Sequence, residues 1–164
     1  MSFRSDLEKL SDKHWQNAYV KIRPLSTEAD LIYAGYACQL TDAQKELVNP
    51  FWFSIGRAYL FKEDNYPCII YNACHEPVGF MNLCNWLGSG DAFSWSYYID
   101  KKHQGKGYGK HAAALAVHIL KSANPQKQIK LSTEAGNTAA QALYLSLGFQ
   151  KLDETDGDDI VFGL

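Results

Sequence analysis

Bulk charge is the first thing this chain lacks. Its 164 residues carry 16 Lys and Arg against 18 Asp and Glu, a formal net charge of −2. That balance gives no electrostatic case for nucleic acid or for an anionic membrane surface. Long apolar runs are missing too: none approaches the ~20 residues that a bilayer-spanning helix needs. The first ten residues include Arg4, Asp6, Glu8 and Lys9 and have no apolar stretch of the signal-peptide kind, so a cytoplasmic protein is expected. The four cysteines, Cys38, Cys68, Cys74 and Cys84, have no C-x-x-C spacing. No metal site is read from them, and a chain of this length needs no disulfide staples, so free thiols in a reducing compartment are expected. Internal repeats, low-complexity tracts and interdomain linkers are absent. One domain over residues 1–164, with one substantial core, is the expectation.

What is present is an alternation of strand and helix signals. Residues 1–18 mix charge with Leu7, Leu10 and Trp15 and read as an extra N-terminal helix or a loose arm. Val20 to Leu25 reads as a short strand, with Pro24 near its end or at an edge. A helix start at Ser26 or Thr27 leads into an apolar run from Leu31 to Leu40. A second helix begins at Thr41-Asp42 and stops at Asn49-Pro50. The aromatic stretch Phe51 to Phe61 has helical spacing, with strand character as the alternative. Cys68 to Ala73 and Val78 to Leu83 form a hairpin around the turn at Cys74-His75-Glu76-Pro77. Phe93 to Ile99 is the next strand, with Phe93, Trp95, Tyr97 and Ile99 on one face. A helix over about Tyr108 to Ser122, a strand around Ile129–Thr133 and a helix opened by Asn137-Thr138 follow. Phe149 to Leu152 and Asp159 to Leu164 close the chain as a strand pair around an acidic turn. The order implies an α/β or α+β sheet covered by helices.

Between the Phe93–Ile99 strand and the Tyr108 helix stands Gln104-Gly105-Lys106-Gly107-Tyr108-Gly109-Lys110. Three glycines at alternate positions let a ligand approach the backbone. A helix start presents unpaired N–H groups and positive dipole potential, so an anion, most simply phosphate, is expected here. The G-x-x-G interval of a dinucleotide fingerprint is missing, and so is the G-x-x-x-x-G-K-[ST] of a P-loop. A purely structural glycine turn is the remaining alternative.

This turn, with Asn137, Tyr144 seven residues later and Leu147-Gly148-Phe149 just after, resembles the GNAT family of N-acetyltransferases. The family's pyrophosphate motif is Gln or Arg, two variable residues, Gly, one variable residue, then Gly or Ala, and it stands here without departure. The resemblance is specific over residues 78–152 and topological before them. It implies a mixed, largely antiparallel six- to seven-stranded sheet with helices on both faces, and acetyl-CoA as cofactor. Carried over residue by residue, it assigns the pyrophosphate to Gln104, Gly105, Lys106, Gly107, Tyr108, Gly109 and Lys110. Tyr97, Tyr98 and Ile99 match the strand that pairs with the pantetheine arm, with an amide near Tyr98 polarising the thioester carbonyl. Asn137 matches a cofactor contact; by itself it reads as an ordinary N-cap. Tyr144 matches the acid that protonates the departing thiolate; by spacing alone it reads as a core aromatic.

The implied reaction is direct attack of a primary amine on acetyl-CoA, without an acyl-enzyme. The motif region is nearest to that of small-amine and polyamine acetyltransferases. Those place acids where this chain has Trp95 and Ser96, so the base is sought elsewhere: Glu134 first, with Asp91, His75 and His111 behind it. Tyr33, Tyr36, Trp52, Phe53, Trp86 and Trp95 are the aromatic candidates for an alkylammonium substrate through cation–π attraction, with core packing as the alternative for each. Acetylation of a protein N-terminus or lysine, acetylation of an amine-bearing antibiotic, and a non-catalytic acyl-CoA-binding module are the competing readings. A small-molecule amine is the expected partner, with neither nucleic acid nor membrane. Dimers are common in the family, and no stretch of this chain demands one.

Overall fold

A computed structural model describes residues 2–88 and 90–164. The elements are α1 (Phe3–Glu8), β1 (Val20–Pro24), α2 (Glu28–Ile32), α3 (Asp42–Leu47), α4 (Phe51–Leu60), β2 (Asn65–Asn72), β3 (Pro77–Asn85), β4 (Ala92–Ile99), α5 (Tyr108–Ala123), β5 (Gln128–Thr133), α6 (Thr138–Ser146), β6 (Gln150–Asp156) and β7 (Asp159–Gly163). The seven strands form one sheet in the order β1-β2-β3-β4-β5-β7-β6. Every neighbouring pair is antiparallel except β4 and β5, which run parallel. The expected sheet, with helices on both faces, is the one observed.

Two apolar clusters account for the two faces. On one, the α5 stripe Ala112, Leu115, Ala116, Ile119 and Leu120 packs on Phe93, Trp95 and Ile99, with Leu143, Tyr144 and Leu147 of α6 at the margin. Burying a side chain of leucine size contributes roughly 1.5–3 kcal/mol, so this face carries most of the stabilisation. On the other face Ala34, Ile69, Phe80 and Tyr98 form a smaller cluster, joined by Tyr33, Val48 and Phe51. The N-terminal segment is a docked helix. Ser2 caps it, and Phe3 and Leu7, four apart, bury the same face. Phe3 meets Phe93 at 5.3 Å between ring centroids, and Trp15 is buried behind it.

Several boundaries differ from the sequence expectation. The Leu31–Leu40 helix is cut short: α2 ends at Ile32, and Tyr33–Ala37 follows as one wide turn, in which the Cys38 N–H donates to the Tyr33 carbonyl five residues back at 2.8 Å. The β2–β3 hairpin runs further than its apolar residues suggest. Asn82 donates to Asn65 at 2.9 Å and Asn85 to Asp64 at 2.8 Å, so buried amides extend the ladder where hydropathy ends it. β6 continues through the acidic residues to Asp156, because an edge strand with solvent-facing side chains tolerates charge. The acidic turn shrinks to Gly157 and Asp158. In the expected loop Leu87–Asp91, Trp86–Gly88 is a helical turn with Leu87 at φ 47°, and Ser89 lies outside the described residues. Among the described residues no helix is long and apolar enough to cross a membrane.

Candidate active site

The site follows from a defect in the sheet. β4 and β5 are joined at only two residue pairs, Ala92–Gln128 and Phe93–Ile129. Past these the strands part, and a cleft of about 880 Å³ opens between Ser94–Ile99 on one wall and Leu131–Glu134 on the other. The free edge of β4 can be read from its pairing with β3. The Asp100 N–H donates to the Val78 carbonyl at 2.8 Å, and the register from there back to Asn85–Phe93 is unbroken. Alternation along the strand therefore turns the backbone groups of Ser94, Ser96 and Tyr98 toward β3, and those of Trp95, Tyr97 and Ile99 toward the cleft. Tyr98 lines the cleft with Tyr97 and Ile99, as expected, but its amide belongs to the ladder with Phe80, and its side chain packs in the smaller core.

At the open end of β4 the chain turns through the glycines into α5. Gly105 and Gly107 have φ of 76° and 85°, a region that side-chain-bearing residues avoid. A Cβ on Gly105 would meet nothing within 4 Å, and one on Gly107 would meet only the His111 ring at 3.7 Å. The space in front of the turn is therefore open because side chains are missing there. No side chain caps α5 among the described residues, which leaves the first-turn amides of Tyr108, Gly109 and Lys110 available to an anion. Tyr97 ties the strand to this turn, its hydroxyl donating to the Gly109 carbonyl at 3.0 Å. Burial, helped by the nearby Tyr144 phenol, pushes the Tyr97 pKa well up. Gln104 donates through Nε2 to the Ile99 carbonyl at 3.0 Å and to Gln44 Oε1 at 2.6 Å. The Lys106 and Lys110 side chains are exposed, and neither residue lines the cleft.

The opposite wall carries the other motif. Asn137 is the N-cap of α6, its Oδ1 accepting from the Ala140 N–H at 3.2 Å, and it lines the cleft as well. The Tyr144 ring lies between Phe149 and Phe162, at 6.0 and 5.6 Å between centroids, with its hydroxyl free of protein hydrogen bonds among the described residues. Burial raises its pKa. Glu134 follows β5 directly, and its carbonyl accepts from the Asn137 N–H at 3.0 Å. Three more acids, Glu46, Asp156 and Asp159, line the cleft, and no Lys or Arg does among the described residues. Asp156 accepts from the Ser132 hydroxyl at 3.0 Å.

The aromatic candidates divide. Trp86 and Trp95 line the cleft, Trp95 with its ring edge-on to Phe149 at 5.8 Å. Tyr33, Tyr36, Trp52 and Phe53 do not. The Tyr33 hydroxyl is buried in the smaller core, while Tyr36 and Trp52 are 80% and 72% exposed. The wall expected of them is made by Leu47, Val48 and Asn49, at the end of α3. Of the other base candidates, His75 and His111 lie outside the cleft lining, as does Asp91. The sequence reading also passed over Gln44, Asp156 and Asp159. Gln44 had a legible signal in Thr41-x-x-Gln44, the pattern of a capping box. Asp156 falls in the segment read as an acidic turn, and Asp159 opens the strand read after it.

The profile of the acetyltransferase (GNAT) family matches residues 32–149. Curated protein sequences include no match to the chain. Three solved structures illustrate the likeness of fold. RimJ of Mycobacterium smegmatis, in complex with CoA-disulfide, is 20% identical, with a TM-score of 0.69 over 88% of this chain and 81% of that one. The aminoglycoside acetyltransferase AAC(6')-Ib, in complex with coenzyme A and kanamycin, is 23% identical, with a TM-score of 0.67 over 88% and 92%. A variant of the spermidine N-acetyltransferase SpeG of Vibrio cholerae is 16% identical, with a TM-score of 0.66 over 90% and 92%. The profile match takes in the parted strands, the glycine turn and Tyr144 together, and the chain belongs to the GNAT family of acetyl-CoA-dependent acetyltransferases.

Proposed function

We propose that the chain is an N-acetyltransferase whose acceptor is a primary amine on a small cationic molecule, with polyamines among the candidates. The observation that carries this reading is the charge of the cleft: Glu46, Glu134, Asp156 and Asp159 line it without a compensating Lys or Arg among the described residues. Such a lining concentrates cations and disfavours anionic acceptors. The names of two structural neighbours, a spermidine N-acetyltransferase and an aminoglycoside acetyltransferase, agree with a cationic amine.

In this reading the amides of the glycine turn and α5 hold the pyrophosphate of acetyl-CoA, with Gln104 beside them. The free edge of β4 pairs with the pantetheine amides, and Asn137 contacts the same arm from the other wall. A cleft-facing amide of Trp95 or Tyr97 donates to the thioester oxygen as negative charge develops there. The neutral amine attacks the carbonyl carbon, the C–N bond forms and the C–S bond breaks. Tyr144 gives its proton to the departing sulfur. A phenol is protonated at neutral pH, as an acid in this role must be. Glu134 takes the proton lost by the amine.

Thiol release from acetyl-CoA over a panel of amines tests the proposal. The panel should hold spermidine, an aminoglycoside, a peptide with a free N-terminus and a lysine peptide. Release accelerated by the small polycations is expected. Acceleration by the peptides alone would replace the small-molecule reading with a protein acceptor. Acetyl-CoA binding without release on any amine would leave a non-catalytic module.

A further inference from the structure

α3 forms part of the acceptor wall, yet the fold grips it weakly. None of its six residues is buried. Leu40 before it and Val48 after it reach the smaller core; the helix between them does not. What holds its middle is one side chain. Gln44 Oε1 accepts from the Thr41 N–H at 2.9 Å, closing the capping box, and also from Gln104 Nε2 at 2.6 Å. Gln44 Nε2 reaches the Ile99 carbonyl at 3.4 Å, which Gln104 Nε2 also contacts at 3.0 Å. The first residue of the pyrophosphate motif is thus hydrogen-bonded to the helix whose end carries Leu47, Val48 and Asn49 into the cleft wall.

Gln104 has two Nε2 protons, and both are engaged within the protein. A pyrophosphate on the turn offers anionic oxygens, and charge-assisted hydrogen bonds are about twice as strong as neutral ones. The bond easiest to surrender is the one to Gln44, because Oε1 keeps its Thr41 donor and no buried group is orphaned; the Gln44 Nε2 contact with the Ile99 carbonyl that stays behind is long, at 3.4 Å, and holds α3 weakly. We infer that Gln44 is a positioning residue that latches α3 to the cofactor turn, and that cofactor binding releases the latch and frees the acceptor wall. This rests on the reading that the turn holds the pyrophosphate, and it is independent of which amine is acetylated.

Amide hydrogen exchange across residues 41–48, with and without coenzyme A, tests it without any acceptor. In the unaltered protein coenzyme A should speed exchange of this segment by about 2- to 10-fold, the equilibrium worth of one neutral hydrogen bond. Gln44→Ala should exchange fast in both conditions, with a ratio near one. Thr41→Ala removes the cap and leaves the latch, so its baseline rises while the ratio persists; a merely structural role of Gln44 as a cap would not separate these two variants. Calorimetry on the same samples reports coenzyme A binding. Binding with unchanged or slowed exchange, or an undiminished ratio in Gln44→Ala, overturns the latch alone. Absence of binding overturns the latch and the pyrophosphate reading together.

Discussion

The two sides of the cleft are built on different principles. The cofactor side uses backbone: the free edge of β4, positive φ at Gly105 and Gly107, and the uncapped start of a 16-residue helix that lies against the main core. The acceptor side uses side chains on short helices, held largely by polar contacts. Outside the cleft lining, beside the smaller core that Tyr71 joins, Asp30 Oδ2 accepts from the Ser26 and Thr27 amides, and Oδ1 accepts from the Arg23 guanidinium and the Tyr71 hydroxyl. Arg23 also donates to Tyr71. In the proposed reading, the first side would hold the ligand shared across the family, and the second, less deeply buried, would hold the acceptor.

That contrast can be broken most sharply at the turn. Gly107→Val should weaken coenzyme A binding by about 100-fold, since a β-branched residue costs about 1–3 kcal/mol at φ 85° and would shift the turn that presents the amides. Unchanged affinity by calorimetry, with a native circular dichroism spectrum, would put the phosphates elsewhere. Tyr144→Phe should lower kcat by roughly 100-fold, on the scale of general acid catalysis, and leave coenzyme A affinity nearly untouched. Full turnover would remove the phenol from the chemistry.

The Asp30 network answers to pH. Burial works to raise the Asp30 pKa, but the Ser26 and Thr27 amides and the Arg23 charge outweigh it, and the net shift is downward. A carboxylate with a depressed folded pKa stabilises the protein fully above its unfolded value of about 3.9, and that contribution fades as pH falls through the folded value. Thermal melts should therefore lose stability below about pH 4, and Asp30→Asn should remove this part of the dependence. A variant with the same acid profile would show that other carboxylates set it. Asp156→Asn should raise KM for a cationic acceptor by about 3- to 5-fold, as an exposed charge contact does, with 0.5 M salt erasing the difference. A salt-insensitive change would mean that Asp156 acts through packing. Trp52→Ala should be nearly silent, within about 0.5 kcal/mol in stability and with no shift in KM. A clear rise in KM would extend the acceptor site onto α4.

The same contrast explains what the sequence disclosed. Glycines that need positive φ, an N-cap at Asn137 and a tyrosine two helical turns later are fixed by local geometry, so their spacing survives in the sequence. The parity of β4 is not local. Whether Tyr97 or Tyr98 offers its amide depends on the register with β3, which no stretch of β4 encodes alone. Asp156 and Glu46 reach the cleft only because β6 extends to the sheet edge and α3 folds back over β4. Tyr36 and Trp52 mislead in the opposite direction: aromatic residues near a site by chain order point away from it in space.

The two-pair seam between β4 and β5 has a further consequence. Strand pairing there stops with most of both strands still to come, so the protein is built with an unfinished ladder. In the proposed reading, a ligand whose arm carries peptide-like amides would complete it and become, in effect, a non-covalent strand stitching the β1–β4 half of the sheet to the β5–β7–β6 half. Its binding would then be mechanical cross-linking as well as recognition. At a hundredfold excess over Kd it adds about 2.7 kcal/mol to the folded state.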